Sequence, residues 1–254
     1  MRPLRLLHVL PFVAWALVQP VWAQTPPPKP SAADILAQSR GTYAALMSYS
    51  DRGTVVVEIG TAQSPIKDRR TFTTYYRAPR QFLMSNRIED SGEELVLWCE
   101  GEGQDFKSWW TASKTVMDYP QGQGAIAFAN AAYPTSSVAV MIPSLLFAAA
   151  NLQGPLSGFN LTRDVGEETL NGRRTYKLIG EEQQAYGTGT VTGARAITIW
   201  IDASTYLVRK VFEDTPHDSA AGQISRQTTT YEPVANPSLD AARFHYVPPA
   251  EAKK

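Results

Sequence analysis

Ile197-Thr198-Ile199-Trp200-Ile201, then Asp202-Ala203-Ser204-Thr205, then Tyr206-Leu207-Val208-Arg209-Lys210-Val211-Phe212 is the stretch that decides the fold class. Two β-branched and aromatic runs flank four turn-forming residues, which predicts a β-hairpin. Ile197, Ile199 and Ile201 fall on one side of the first strand, and Thr198, Trp200 and Asp202 on the other. One face is therefore wholly apolar, while the second still carries an indole. A third run, Gln227 to Tyr231, continues the meander. The terminal segment Leu239-Asp240-Ala241-Ala242-Arg243-Phe244-His245-Tyr246-Val247-Pro248-Pro249 follows it.

Working back from this hairpin, Gly187, Gly189 and Gly193 mark a glycine-rich linker, preceded by strands at Phe159 to Asp164 and Arg174 to Glu181. Before those the strand pattern breaks. Gln121-Gly122-Gln123-Gly124 reads as a loop, Ala125 to Ala132 as a short helix, and Ser136 to Ala150 as one or two more, with Pro143 acceptable as a first helical residue. Val138, Val140, Met141, Ile142, Leu145, Leu146 and Phe147 surround that segment almost completely, so it is buried on several sides. Plugging a concave sheet and packing on the convex side both satisfy that pattern.

Further upstream, strands are predicted at Gly53 to Ile59, Arg70 to Arg77, Gln81 to Ile88, Glu94 to Glu100, Asp105 to Ala112 and Thr115 to Tyr119. Trp98, Trp109 and Trp110 lie within thirteen residues, where they either pack an ordinary core or line a ligand pocket. Ser31, with Asp34 three residues on, is a capping pair, and Ile35, Leu36, Tyr43, Leu46 and Met47 recur at helical spacing. One amphipathic helix, Ala32 to Met47, opens the domain.

Residues 1–23 read as a signal peptide: Arg2 and Arg5, an apolar stretch from Leu6 to Val18, and Val21-Trp22-Ala23 as the cleavage site. No cysteine sits there to carry a lipid anchor. The apolar stretch is too short to span a bilayer, and no second stretch is long enough. Export to a bacterial periplasm as a soluble protein, cleaved after Ala23, is the expectation. Removing 23 of the 254 residues leaves 231, enough for one β-rich domain over 31–249, with a proline-rich leader at 24–30 and a tail at 250–254. A second domain after Pro249 is not expected.

Of the 24 basic side chains two lie in the signal segment, so 22 face 24 acidic ones, a balance that disfavours nucleic acid as a partner. Cys99 is the sole cysteine and reads as a buried, inert thiol. His217 and His245 have no ligands at metal spacing, although Asp218 follows the first, and no cofactor is implied. There is no Gly-x-Ser-x-Gly elbow, and the acid pairs Glu89-Asp90, Glu93-Glu94, Glu167-Glu168 and Glu181-Glu182 read as solvated faces. Neither Gly101-x-Gly103 nor Gly187-x-Gly189 has the setting of a phosphate loop, and Asn160-Leu161-Thr162 is a chance sequon. The chain is not expected to be an enzyme.

The terminal Asp240-Ala241-Ala242-Arg243-Phe244 run, closed by Pro248-Pro249, resembles the end of the bacterial lipoprotein carriers LolA and LolB, where a last strand follows such a run. Tyr76-Arg77-Ala78-Pro79-Arg80-Gln81-Phe82 is similar to that family's basic-Pro-x-x-Phe turn. The family's functional arginine directly precedes the proline, whereas this chain has Ala78, flanked by Arg77 and Arg80. The resemblance implies an α+β fold. It would be a strongly curved antiparallel half-barrel sheet with an N-terminal helix and a helical insertion covering the concave face.

A carrier-like monomer holding lipid or lipoprotein acyl chains is the function so implied, with an envelope protein as a further partner. Phe82, Met84, Trp98, Trp109, Ile142, Leu145, Leu146, Phe147, Trp200 and Tyr206 are the candidates for the wall and lid of an apolar cavity, and Arg77 for its mouth. Two other readings stay open. One is an envelope sensor or protein-interaction module of the same fold, as among the family's regulatory relatives. The other is a protein whose cavity is filled by its own side chains and which works through its outer surface.

Overall fold

A computed structural model of the chain describes residues 29–135, 141–147, 159–183, 194–216 and 223–250. The signal segment, the glycine-rich linker, His217 and much of the helical insertion lie outside these residues. The order is helix, six strands, two helices, then six more strands, which follows the expected alternation. Helix α1 spans Ala32–Ala44, followed by β1 (Ser48–Thr61), β2 (Ser64–Arg77), β3 (Gln81–Ile88), β4 (Glu94–Cys99), β5 (Phe106–Trp110) and β6 (Thr115–Tyr119). Helices α2 (Gly124–Thr135) and α3 (Met141–Leu146) come next. Strands β7 (Phe159–Leu170), β8 (Arg173–Gln183), β9 (Ala194–Asp202), β10 (Val208–Pro216), β11 (Gln223–Tyr231) and β12 (Val234–Ala235) complete the series.

All twelve strands join one antiparallel sheet in the order β6-β5-β4-β3-β2-β1-β11-β10-β9-β8-β7, with β12 also on β1. The sheet is not closed, because β6 and β7 stand at the two ends of that order. Strand β1 joins the halves, pairing with β2 on one side and with β11 and β12 on the other.

Register sorts the side chains into two faces. Tyr49, Val55, Phe72, Tyr76, Phe82, Met84, Leu95 and Leu97 lie on one face of the first half, and Leu178, Ile197, Ile199, Ile201 and Val211 continue it in the second. These residues form a single buried cluster with Ile35, Leu36 and Tyr43 of α1, Phe128 of α2 and Leu145 of α3. Burial of that apolar surface is the main stabilising term.

The capping pair forms as read: Ser31 Oγ accepts from Asp34 N at 3.2 Å, and Asp34 Oδ2 accepts from Ser31 N at 3.2 Å. The helix ends three residues earlier than predicted because Asn236 Oδ1 accepts from Met47 N and Ser48 N, pulling the chain into β1. Strands β1 and β2 extend well beyond the predicted ranges. The added residues, 48–52 with Gly60 and Thr61 in β1 and 64–69 in β2, are mostly polar, among them Asp51, Arg52, Lys67 and Asp68, so no apolar alternation marks them.

In the β9–β10 hairpin, Asp202 Oδ1 accepts from Ser204 N, Ser204 Oγ and Thr205 N. This side-chain turn carries Tyr206 at φ +56, so the second strand starts at Val208 rather than Tyr206. Among the described residues no strand follows the terminal Asp240–Phe244 run. Ala241–Phe244 is a 3₁₀ turn capped by Asp240, and residues 245–250 take no regular form.

Beneath α1 lies a buried polar group. Tyr49 Oη donates to Asp51 Oδ2 at 2.8 Å, Glu232 N donates to Asp51 Oδ1 at 2.9 Å, and Val208 N donates to Tyr43 Oη at 3.0 Å. These bonds tie α1, β1, β10 and the end of β11 together. Burial, opposed by those bonds and by Arg209, pushes the Asp51 carboxyl up to about 7.

Candidate apolar ligand site

One end of the core face gathers aromatic rings from five separate elements. Phe82 of β3 lies 5.4 Å from Phe128 of α2, 5.6 Å from Phe147 just after α3 and 6.1 Å from Phe106 of β5. Tyr76 of β2 meets Phe147 edge-on at 5.2 Å, and Phe106 lies 5.3 Å from Phe128. Offset and edge contacts of this kind add about 0.5–1.5 kcal/mol each beyond burial. They anchor the helical segment to the sheet, beside one long hydrogen bond in which Asn130 Nδ2 of α2 donates to Tyr119 Oη of β6 at 3.5 Å.

Beside this group is a cavity of about 590 Å³. It is bounded by Ala44, Ala45, Leu46 and Met47 at the end of α1, by Ala78, Pro79 and Arg80 in the β2–β3 turn, and by Tyr76, Leu146 and Phe147. The Ala78–Pro79 peptide is cis. Met47 is 68% exposed, so the apolar lining continues to the outside. Arg80 places its guanidinium 5.1 Å from the Phe106 ring centre, and its buried Nε has no hydrogen-bond partner among the described residues.

The structure separates the residues singled out from sequence. Phe82, Met84, Ile142, Leu145 and Leu146 join the core cluster, and Phe147 packs against it, but only Leu146 and Phe147 line the cavity. Tyr206 also packs against that core, where its ring meets Tyr176 at 6.1 Å rather than the aromatic group.

The tryptophans fall elsewhere, because register puts them on the opposite face. Trp98 pairs with Leu83 and Lys107, and Trp109 with Val96 and Val116, forming a second cluster capped by Tyr246 at 4.9 Å from Trp98. Trp200 Nε1 donates to Glu168 Oε2, and the Trp200 ring lies beneath Lys210 and Lys177. Trp98 and Trp109 are buried in this cluster with Val96, against Leu83, Val116 and Tyr246 and away from the cavity. Trp98→Phe is expected to lower stability by about 1–3 kcal/mol while leaving uptake of an apolar ligand unchanged; urea unfolding and a binding titration on the same sample check both.

Arg77 is also not at the mouth. Its Nε donates to Gln81 Oε1, its Nη1 donates to Leu239 O at 3.0 Å, and its guanidinium lies 5.5 Å from the Phe244 ring centre. It therefore clamps the terminal segment. The cation at the cavity is Arg80, and the rings missed from sequence are Tyr76, Phe106 and Phe128. Period-2 alternation within each strand was visible, but only cross-strand register shows that these rings converge.

A second cavity, of about 530 Å³, is polar, with Arg52, Arg173 and Arg209 in its wall. Asp202 Oδ2 lies 3.1 Å from Arg209 and 3.7 Å from Arg173, and Glu232 lies 3.8 Å from Arg52, so these cations already have carboxylate partners. Among the described residues no group of three His, Cys, Asp or Glu side chains is placed to hold a metal ion, and no helix is long and apolar enough to cross a membrane.

Residues 32–254 match the family model described as "Predicted periplasmic protein (DUF2092)". No curated protein matches the chain by sequence. Among solved structures, the chain is similar to the Mycobacterium tuberculosis lipoprotein LppX, at 15% identity over 83% of this chain and 100% of that one, with a TM-score of 0.42. It is similar to a LolA superfamily protein from Nitrosomonas europaea, at 11% identity, 86% and 99% coverage and a TM-score of 0.33. A putative outer membrane lipoprotein-sorting protein domain from Vibrio parahaemolyticus gives 11% identity, 82% and 94% coverage and a TM-score of 0.35. The LolA superfamily, to which the two short runs pointed, is thus among the proteins this chain is similar to.

Proposed function

This chain belongs to the DUF2092 family of predicted periplasmic proteins, and from that premise we propose that it is a periplasmic binding protein, not an enzyme, that holds a lipid or the acyl chains of a lipoprotein. The observation that carries this reading is the cavity of about 590 Å³ at the end of α1. Its size falls among small-molecule sites, which run to about 300–1,000 Å³, and its lining is apolar apart from Arg80 and the Tyr76 hydroxyl. On this reading the open sheet is a half-barrel, the helices lie over its concave face, and the protein is released from its signal segment after Ala23.

Affinity needs no reacting group. Each methylene removed from water contributes about 0.8 kcal/mol, so a twelve-carbon chain supplies roughly 8–10 kcal/mol before the entropic cost of binding. Release then requires the cavity wall to open. Leu146 and Phe147 are the wall residues contributed by the helical segment, which meets the sheet at this end through ring contacts and not through a ladder.

Native mass spectrometry of the protein purified from a bacterial periplasm, followed by lipid extraction, tests the proposal. A co-purifying lipid or acylated protein supports it. A clean mass with no uptake of added fatty acid or lipopeptide overturns it and favours the protein-interaction reading. A variant sharpens the test: Ala45 is exposed and lines the cavity, so Ala45→Trp fills it from the rim. Ala45→Trp is expected to reduce ligand uptake at least tenfold with a stability change within about 0.5 kcal/mol, the range for surface positions; a titration and a urea melt read the two quantities.

A further inference from the structure

The Arg80 side chain assigns the cavity a ligand of narrower chemistry than an apolar chain. Resting on the proposal that the cavity holds an acyl chain, we infer that its ligand is an amphiphile with an anionic head, a carboxylate or a phosphate, received by Arg80.

Four observations carry this. Arg80 is the one charged residue in the cavity wall among the described residues. Its Nε is buried and has no partner, a state rare in folded proteins and one that leaves a strong donor unused. Its guanidinium is held over the Phe106 ring at 5.1 Å. Stacking uses the face of the guanidinium and leaves the in-plane N–H edge for a two-pronged bond to a carboxylate or phosphate. Finally, Arg77, three residues away, is committed to Gln81 Oε1 and Leu239 O, so it does not compete for the same anion. The wall thus offers an apolar length, from Met47 to Phe147, with one cation beside it. An acyl chain with an ionised head matches both parts.

The test uses the full-length protein exported to the periplasm, purified and stripped of lipid, and titrated with dodecanoate, dodecyl phosphate and dodecanol, which share a chain and differ in the head. Dodecanoate or dodecyl phosphate is expected to bind about ten- to a hundredfold tighter than dodecanol, the range of a charge-assisted hydrogen bond. Whichever anion shows the larger preference names the head. Arg80→Gln keeps much of the side chain's length and is expected to abolish the preference while dodecanol affinity stays the same. Arg80→Lys, which retains charge without the fork, is expected to restore part of it.

Equal binding of all three ligands by the wild type, or a preference that survives Arg80→Gln in a variant with unchanged thermal unfolding, overturns the anion inference and leaves the cavity reading intact. Failure of all three to bind overturns both.

Discussion

Gly53→Ala is expected to destabilise the protein by about 3 kcal/mol or more, and Gly53→Val to leave little folded protein. Gly53 sits in the middle of β1 on the core face, paired with Phe72 on one side and Tyr231 on the other. Those two rings meet edge-on at 5.5 Å. A Cβ built on Gly53 would overlap the Thr230 carbonyl oxygen and the Phe72 ring at once. The ring could turn aside, but the carbonyl belongs to the β11 backbone and cannot move without breaking the ladder that joins the halves of the sheet. Trimming Phe72 therefore does not rescue Gly53→Ala. Gly166→Ala is the control, because a Cβ there meets nothing within 4 Å and its φ is not in the left-handed region. Urea midpoints of the three variants would check the contrast, and equal stability of Gly53→Ala and Gly166→Ala would refute it.

Stability is expected to fall by about 4 kcal/mol as pH rises from about 4 to about 7, and to level off above that, through Asp51 alone. Burial raises its carboxyl from 3.8 to about 7, and each tenfold gain in proton affinity on folding corresponds to about 1.4 kcal/mol. Between those values the folded protein holds a proton that the unfolded chain has released, so the slope of stability against pH is negative there. Asp51→Asn keeps an acceptor for Glu232 N and removes the charge. It is expected to be more stable than wild type at pH 8 and to lose that advantage by pH 4. Asp202 acts in the opposite direction at lower pH. Although burial alone would raise it, the Ser204 hydroxyl and amide, the Thr205 amide and Arg209 hold it at about 2. Its contribution is present above 3.8 and lost as pH falls toward 2. The stability maximum should then lie in mildly acid solution, and a maximum above pH 7 in denaturation curves would contradict the Asp51 assignment.

Much of the fold was legible because alternation needs no partner to be seen. The bounds of β3 and β6 were read to the residue, and the capping pair at Ser31 and Asp34 was recognised from two side chains. Legibility failed where a distant residue made the decision. Asn236 ends α1, which no local pattern around Met47 announces. Mostly polar end residues, 48–52 in β1 and 64–69 in β2, hide the full length of those strands, and the Asp202 turn displaces Tyr206 from its strand.

The candidate site was legible only in part for a related reason. Leu146 and Phe147 line the cavity, whereas Trp98, Trp109 and Trp200 lie on the other face of the sheet, which is settled by cross-strand register and not by side-chain size. Arg77 ends β2, paired with Ser48, and holds the terminal segment there, while Arg80 is the last residue of the turn and reaches Phe106. Three residues of spacing separate a structural clamp from the cation in the cavity wall.

The central seam between β1 and β11 also sets an order of events during folding. The hairpins on each side of it, β1–β2 and β10–β11 among them, form between near neighbours in the chain. The seam instead joins residues such as Thr54 and Thr230, which are 176 positions apart and share a hydroxyl hydrogen bond at 2.8 Å. Pairings of that range are slow to find, since the loop must close before any contact rewards it. A chain threaded through a membrane from its N-terminus would present β1 long before β11 arrives, with the β1 edge unpaired throughout. During that interval an exposed strand edge invites pairing with other chains, so assistance by a holding chaperone would serve this protein most between the emergence of β2 and that of β11.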